Sequence, residues 1–243
     1  MTSLIFVAIL ILSPVFSVLP QEDQIHRADN LFAGRDNIEN LKQAVSLVED
    51  LRAHNPSNYE ALWRLAKYKY YVADREKDQA NKFKLFEAGI EVAKKAVQLN
   101  DKRPEGHFWL GANYGEYADL KGGFTSLGLI KTIRKEFEAV LKIDPTYENG
   151  AAYLALGEMD LSLPGLLGGS ERRGFEMLEN GLRVGPSNSE LKLALAERYA
   201  KNGNKDEARK LLESVLRVND LLRTSAEQEE LRSEARSQLA KLK

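Results

Sequence analysis

The sequence contains no cysteine, which excludes several kinds of chemistry at once. A disulfide framework, a thiol nucleophile, a zinc ribbon and a lipid-modified cysteine all require that residue. An excess of one charge is also lacking, because 35 basic residues nearly balance 36 acidic residues and leave a net charge of -1. Such a chain has no overall field that would attract nucleic acid or an anionic membrane. We therefore expect no nucleic-acid partner.

Long hydrophobic runs are scarce as well. The run Leu4–Leu12 is too short to span a bilayer comfortably, and Ser13-Pro14 and small residues follow it. This order is typical of a secretory signal peptide, which we predict at residues 1–17 although the residues before Leu4 include no Lys or Arg. The mature chain would then be periplasmic or otherwise extracytoplasmic, without a transmembrane domain. A short membrane-anchoring or buried helix is the alternative interpretation.

The rest of the chain has the periodicity of amphipathic helices. From Gln24 onward apolar residues recur at helical spacing, and no strand signal interrupts them. Each run stops at Asn, Asp or Gly, often with a Pro next, because Pro cannot continue a helix. Successive stops are 45, 44, 41 and 34 residues apart. They are Asn55-Pro56, Asn100-Asp101, Asp144-Pro145, Gly185-Pro186 and Asn219-Asp220.

A small residue follows a leucine ten residues after each of the first four stops, as in Leu110-Gly111. With Tyr114 this pair matches part of the tetratricopeptide (TPR) repeat pattern, and the last unit has the 34-residue period of that repeat. The chain therefore resembles a TPR protein. The predicted fold is all-α, a TPR-like helical-hairpin solenoid over residues 18–223 with a C-terminal capping helix at 224–243. An irregular helical bundle is the alternative.

Two glycine-rich stretches, KGGFTSLG at 121–128 and LPGLLGGSERR at 163–173, are predicted to be loops inserted between paired helices. The second lacks the Lys-Ser or Lys-Thr of a phosphate-binding loop, and no serine in either has the G-x-S-x-G spacing of a nucleophile. Ser170 instead fits a helix N-cap. We expect Gly168 and Gly169 to turn the loop back and bury its leucines. Those leucines are Leu163, Leu166 and Leu167.

No other constellation predicts catalysis. The three histidines, His26, His54 and His107, are far apart and have no metal-binding spacing. The acidic residues lie mostly among Lys and Arg on the polar sides of helices. We therefore expect no enzymatic activity, no metal and no cofactor.

Aromatic residues are concentrated on the first helices of two consecutive units, the helices that line the concave side of such solenoids. Tyr and Trp combine an apolar body with a polar tip, which suits an apolar ligand or a peptide, although core packing is the alternative for each residue. Apolar residues of the two glycine-rich stretches would border the same site. The predicted ligand- or partner-binding residues are Trp63, Tyr70, Tyr71, Phe108, Phe124, Leu163, Pro164, Leu166 and Leu167.

These features together resemble the T component associated with tripartite ATP-independent periplasmic (TRAP) transporters. Its members carry a P-x-x-x-G-G-[DS] element, matched here by Pro164, Gly168, Gly169 and Ser170. Many relatives are lipoproteins, whereas this chain has no cysteine to acylate. The resemblance implies a non-enzymatic periplasmic protein that partners a solute-binding protein and takes a small hydrophobic ligand.

A general TPR scaffold or adaptor for envelope protein assembly is the alternative function, and a hydrolase with an unrecognised site is a more distant one. The sequence leaves a homo-oligomer open. The near-zero net charge predicts that binding to a partner responds little to salt.

Overall fold

The computed structural model describes residues 21–242, except for the side chains of residues 123–127. The predicted signal peptide at 1–17 lies outside the described residues. Within them the chain forms eleven α-helices, two short 3-10 turns and no strand, which confirms the all-α solenoid. The helices are α1 (Gln21–Ala33), α2 (Ile38–His54), α3 (Tyr59–Arg75), α4 (Gln79–Leu99), α5 (Pro104–Lys121), α6 (Gly123–Ile143), α7 (Ala151–Ser162), α8 (Glu171–Val184), α9 (Ser189–Lys201), α10 (Lys205–Arg217) and α11 (Ser225–Lys241).

Four of the five predicted helix ends are confirmed. Asn55, Asn100, Asp144 and Gly185 are C-caps, and each donates its backbone N–H to the carbonyl oxygen four residues earlier. The fifth predicted end belongs to α10, whose C-cap is Val218, one residue before the predicted Asn219. Turn-forming residues therefore set the repeat boundaries, as expected from their conformational preferences.

The first glycine-rich stretch is not the loop that the spacing predicted. Only Gly122 separates α5 from α6, and its φ of 78° reverses the chain at that one residue. The next residues include neither Pro nor Asn nor Asp, so nothing stops a helix there, and they form the start of α6. The 44-residue spacing thus reflects a long helix: α4 and α6 each have 21 residues, against 13 in α9 and in α10.

Small residues at the predicted positions let the paired helices approach closely. Ala66 and Ala196 are fully buried. A Cβ at Gly111 would lie 3.1 Å from the ring of Phe137, so glycine brings α5 against α6. Ala155, the fourth of these positions, is half-buried and faces a cavity instead. One core extends from α1 to α7, and smaller clusters continue it to α11.

Helix α11 packs over the last TPR-like pair, as the sequence predicted. Thr224 and Glu227 form the expected reciprocal capping box at its start. Its apolar residues join the cluster formed with α9 and α10; they are Leu231, Ala235, Leu239 and Leu242. In the described part of the chain, no helix combines the length and apolar character needed to cross a membrane.

Candidate binding cavity

A cavity of about 810 Å³ lies on the concave side of the solenoid. Residues of α3, α5, α6 and α7 line it, together with the turn before α7, the start of α9 and the α7–α8 and α10–α11 connections. Its volume is in the range of sites that bind a small molecule or a few side chains of a peptide. Six residues predicted from the sequence are brought together in its walls: Tyr70, Tyr71, Phe108, Leu163, Pro164 and Leu167.

Aromatic rings in mutual contact form one wall. Trp109 lies at the centre, with its ring centroid 5.7 Å from that of Tyr70 and 5.0 Å from that of Phe108. Both pairs are edge-to-face, the arrangement that aromatic quadrupoles favour. Trp109 donates its indole N–H to the hydroxyl of Tyr147 at 3.2 Å. Sequence reasoning did not assign Trp109 to the site, although it lies on one face of α5 with Ala112, three residues later.

The tyrosine hydroxyls of this wall stay neutral. Burial raises the pKa of Tyr70 well above its usual value and raises the pKa of Tyr71 to about 12. The hydroxyl of Tyr70 donates to the carboxylate of Glu116 at 3.3 Å. The wall can therefore offer ring faces and hydroxyl groups to a ligand, but no phenolate nucleophile.

Two predicted residues whose side chains are described, Trp63 and Leu166, do not line the cavity. Trp63 lies two helical turns, about 10 Å, before Tyr70 on α3, which places it beyond the end of the cavity. Its indole N–H donates to Glu60 at 2.9 Å, and the guanidinium of Arg64 stacks 4.2 Å from its ring. Leu166 is fully exposed and does not line the cavity. The side chain of Phe124 lies outside the described part.

The α7–α8 connection, residues 163–170, forms one edge of the cavity. Gly168 has a φ of 88°, and a Cβ at Gly169 would overlap the carbonyl oxygen of Leu163, so both positions favour glycine. The predicted turn is therefore present. The predicted burial of its leucines is wrong: Leu166 is fully exposed, Leu167 is 39% exposed, and Leu163 is half-buried at the cavity edge.

Asp160 holds this connection in place. Its carboxylate is fully buried and accepts hydrogen bonds from Arg134 at 2.5 Å and from Arg173 at 2.5 and 2.6 Å. Although burial opposes ionisation, these hydrogen bonds lower the pKa of Asp160. Both arginines also donate to the carbonyl oxygen of Gly168. Ser170 caps α8 as predicted, by accepting from the backbone N–H of Arg173.

The opposite ends of the chain meet beside the cavity. The buried Arg35, between α1 and α2, donates to both carboxylate oxygens of Glu227 at 2.9 and 2.5 Å and to the carbonyl oxygen of Leu222 at 2.8 Å. Although burial opposes ionisation, the bonds from Arg35 and from the backbone N–H of Thr224 lower the pKa of Glu227. We call Arg35, Arg75 and Glu227 the clasp, because they hold the α10–α11 connection, which lines the cavity, against the first repeats.

A left-handed turn positions one acidic residue of the cavity. Glu148 and Asn149 have φ values of 46° and 57°, a conformation that costs a residue with a side chain about 1–3 kcal/mol. The carboxylate of Glu148 is paired with Lys67 at 2.9 Å. This ion pair links α3 to the turn before α7 and fixes Glu148 at the cavity wall.

The described residues include no group of three or more His, Asp or Glu side chains placed to hold a metal ion. His107 instead has a structural contact. Its Nδ1 lies 2.6 Å from a carboxylate oxygen of the buried Glu136 and its Nε2 lies 3.0 Å from the carbonyl oxygen of Asp101. The hydrogen bond with Glu136 raises the pKa of His107, against the effect of burial.

The fold and the concave cavity define a TPR-like helical repeat protein. Comparison with protein families goes one step further: residues 24–158 match the family "Regulator of microtubule dynamics protein 1-3", and the chain belongs to this family. It is 26% identical over 126 residues to regulator of microtubule dynamics protein 1 of Bos taurus. That match covers 51% of this chain and 38% of the length of the bovine protein.

Solved structures support the same fold. A thermophilic TPR protein of Thermus thermophilus is similar with a TM-score of 0.67 and 20% identity, over 91% of this chain and 100% of that one. The type IV pilus biogenesis factor PilW is similar with a TM-score of 0.55 and 18% identity, over 90% and 92%. MamA of Desulfovibrio magneticus RS-1 has a TM-score of 0.51 and 15% identity, over 80% and 94%. At these identities the likeness is one of fold.

Proposed function

We propose that the protein is a non-enzymatic adaptor that binds a segment of a partner protein in its concave cavity. The cavity itself is the observation that supports this proposal most strongly. It joins an aromatic wall from two helices, α3 and α5, to two connections that border its opening, so a bound segment would contact several repeats at once. Repeat solenoids use their concave surfaces in this way.

Exposed leucines near the cavity favour a protein partner over a small apolar molecule alone. Leu167 and Leu222 line the cavity and are 39% and 46% exposed. Their neighbours Leu166 and Leu221 are more exposed still and do not line it. A small ligand inside the cavity would leave these side chains in water, whereas a longer segment would cover them as it left the cavity.

The partner's identity has three candidates. The name of the bovine relative makes a component of the microtubule system the first. The second is a periplasmic solute-binding protein of a TRAP transporter. It is supported by the P-x-x-x-G-G-[DS] match at residues 164–170, of which Pro164 lines the cavity. The third is a protein of envelope assembly. The periplasmic location required by the second and third rests on the predicted signal peptide at 1–17.

Site-specific photo-crosslinking tests the proposal. Benzoylphenylalanine replaces Leu167 or Leu222 at the cavity, or Lys84, an exposed residue of α4 that does not line the cavity, as the matched control. In the native host we expect the two cavity positions to give the same adduct and Lys84 to give none. Mass spectrometry of the adduct then distinguishes the three candidate partners.

A cavity-filling variant provides a second test of the proposed docking site. Ala112 is half-buried and lines the cavity, so Ala112→Phe would fill part of it without altering the clasp. We expect this change to remove the adduct at Leu167 while the circular dichroism spectrum stays helical. Undiminished crosslinking in a folded Ala112→Phe protein would exclude the cavity as the docking site.

A further inference from the structure

The cavity has a charge imbalance that the whole chain lacks. Among the described residues that line it, six carry carboxylates and only Arg223 carries a positive charge. The chain as a whole has nearly equal numbers of acidic and basic residues. The six acidic residues are Glu116, Asp119, Glu148, Glu158, Glu190 and Asp220.

Three of these carboxylates are already engaged. Glu148 is paired with Lys67, and Glu190 with Arg223. Asp220 accepts a hydrogen bond from the backbone N–H of Leu222 at 3.0 Å. Their charges or lone pairs are therefore largely satisfied within the protein.

The other three are Glu116 and Asp119 on α5 and Glu158 on α7. Glu116 accepts a hydrogen bond from the neutral hydroxyl of Tyr70 at 3.3 Å, and none of the three carboxylates forms an ion pair within the described part of the chain. Burial and the nearby Asp119 raise the pKa of Glu116. Glu158 is exposed within the cavity, yet desolvation there, with Glu190 and Glu197 nearby, raises its pKa to about 6. Burial and neighbouring carboxylates thus disfavour the ionised forms of Glu116 and of Glu158, and a cation bound beside either carboxylate would offset that effect.

The aromatic wall favours the same kind of ligand. Faces of Trp and Tyr rings attract cations. Cationic side chains already contact these rings from outside the cavity. The guanidinium of Arg35 lies 5.0 Å from the ring centroid of Tyr71, and the ammonium of Lys67 lies 5.2 Å from the ring centroid of Trp109. A lysine or arginine side chain can place its aliphatic stem along such rings while its charged end reaches a carboxylate.

We propose that the segment bound in the cavity is basic and amphipathic, with Lys or Arg side chains directed at the α5 carboxylates Glu116 and Asp119 and at Glu158 of α7, and with apolar residues against the leucines of the cavity edge. This inference rests on the proposed function, because it names the chemistry of the segment that the cavity takes. Charge complementarity selects this occupant over a neutral apolar segment or a lipid.

Peptide binding to the whole chain tests the inference. The probes are three blocked peptides of equal length: an amphipathic leucine–lysine peptide, its leucine–glutamine counterpart and its leucine–glutamate counterpart. We expect the lysine peptide to bind at least about tenfold more tightly than the glutamine peptide, a factor equal to about 1.4 kcal/mol, and the glutamate peptide to bind least. Higher ionic strength should weaken the lysine peptide selectively.

Variants connect this preference to the named carboxylates. We expect Glu158→Gln and Asp119→Asn each to weaken the lysine peptide about threefold to tenfold and to leave the glutamine peptide unchanged. Glu213→Gln on α10, which does not line the cavity, is the matched control and should change neither. Melting temperatures recorded on the same samples identify any loss that comes from unfolding.

The outcomes separate the two proposals. Equal binding of the lysine and glutamine peptides, both blocked by Ala112→Phe, would overturn the basic-segment inference and leave the docking cavity standing. Binding of peptides or of anionic lipid vesicles that Ala112→Phe does not affect would count against the cavity itself. A lysine preference lost in Glu158→Gln and in Ala112→Phe, but kept in Glu213→Gln, supports both.

Discussion

The family-matched region, residues 24–158, and the region after it build different parts of the cavity. The first contributes the aromatic wall from α3 and α5, in helices of 17 and 18 residues. The second contributes the cavity edges, through the α7–α8 and α10–α11 connections, and its last complete helix pair has only 13 residues in each helix. The wall is thus built from long helices, and the edges from connections near the shorter C-terminal helices.

The wall and the edges are under different physical constraints. The wall is part of the continuous core, so changes there should affect stability and binding together. The edges are exposed loops held by two ionic anchors, Asp160 and the clasp. Changes at the exposed leucines of the edges should therefore affect binding without lowering stability, whereas changes in the two anchors should also lower stability.

The largest stability effect should come from the wall. Phe108 is 8% exposed and packs on Trp109 and Phe137, so Phe108→Ala should lower the free energy of unfolding by about 3–5 kcal/mol. Phe175→Ala, at a half-buried residue of α8, is the matched control and should cost clearly less. Urea denaturation measures both, and equal losses would remove the distinction between the two regions.

The clasp should have the next largest effect. Glu227→Gln keeps a residue that is compatible with the capping box but leaves the buried Arg35 without its carboxylate, so we expect a loss of about 3 kcal/mol. Arg75→Gln removes the longer, more exposed contact at 3.3 Å and should cost less than about 1 kcal/mol. A Glu227→Gln variant as stable as the native chain would show that the ends are not held together by this ion pair.

At the α7–α8 connection, the loss of stability should be smaller. Ser170→Ala removes the N-cap of α8 and should cost about 0.5–2 kcal/mol, and Ser170→Asp should restore most of that stability. Thermal unfolding of the three proteins provides the measurement. Equal destabilisation by Ser170→Ala and by Ser170→Asp would contradict the capping role of Ser170.

The stability of the wall region should also depend on pH, through His107 on α5. The folded-state pKa of His107 is raised, so its contact with Glu136 stabilises fully below the unfolded value of about 6.5 and loses that effect as pH rises through the raised pKa. His107→Gln should therefore cost more at pH about 6 than at pH about 9. A cost that is the same at both values would mean that His107 is neutral in the folded protein.

Much of the fold could be predicted from the sequence because its signals are local. Helix ends at Asn55 and Asn100, the cap at Ser170 and the capping box at Thr224 follow from side chains that bond to the nearest backbone. The sequence does not predict the long α6, because two adjacent glycines usually indicate a loop. Of Gly122 and Gly123, only Gly122 has a positive φ, so a single residue reverses the chain there.

Less of the cavity could be predicted, because it depends on residues far apart in the chain. One local signal was available: Trp109, Ala112, Glu116 and Asp119 recur at helical spacing along one face of α5. The placement of these residues and Glu158 around one cavity, and the approach of Arg35 to Glu227, depend instead on how distant helices pack. The near-zero net charge likewise predicted weak salt dependence, whereas the local charge of the cavity leads to the opposite expectation.

Fluorescence quenching tests the central claim most directly, because the chain has only two tryptophans and only Trp109 lines the cavity. A spin-labelled leucine–lysine peptide, which quenches an indole on contact, is titrated into Trp63→Phe and into Trp109→Phe. We predict saturable quenching of Trp109 in Trp63→Phe, abolished when Ala112→Phe is added. We predict much weaker quenching of Trp63 in Trp109→Phe. Stronger quenching of Trp63, or quenching of Trp109 that the filled cavity does not reduce, would contradict it.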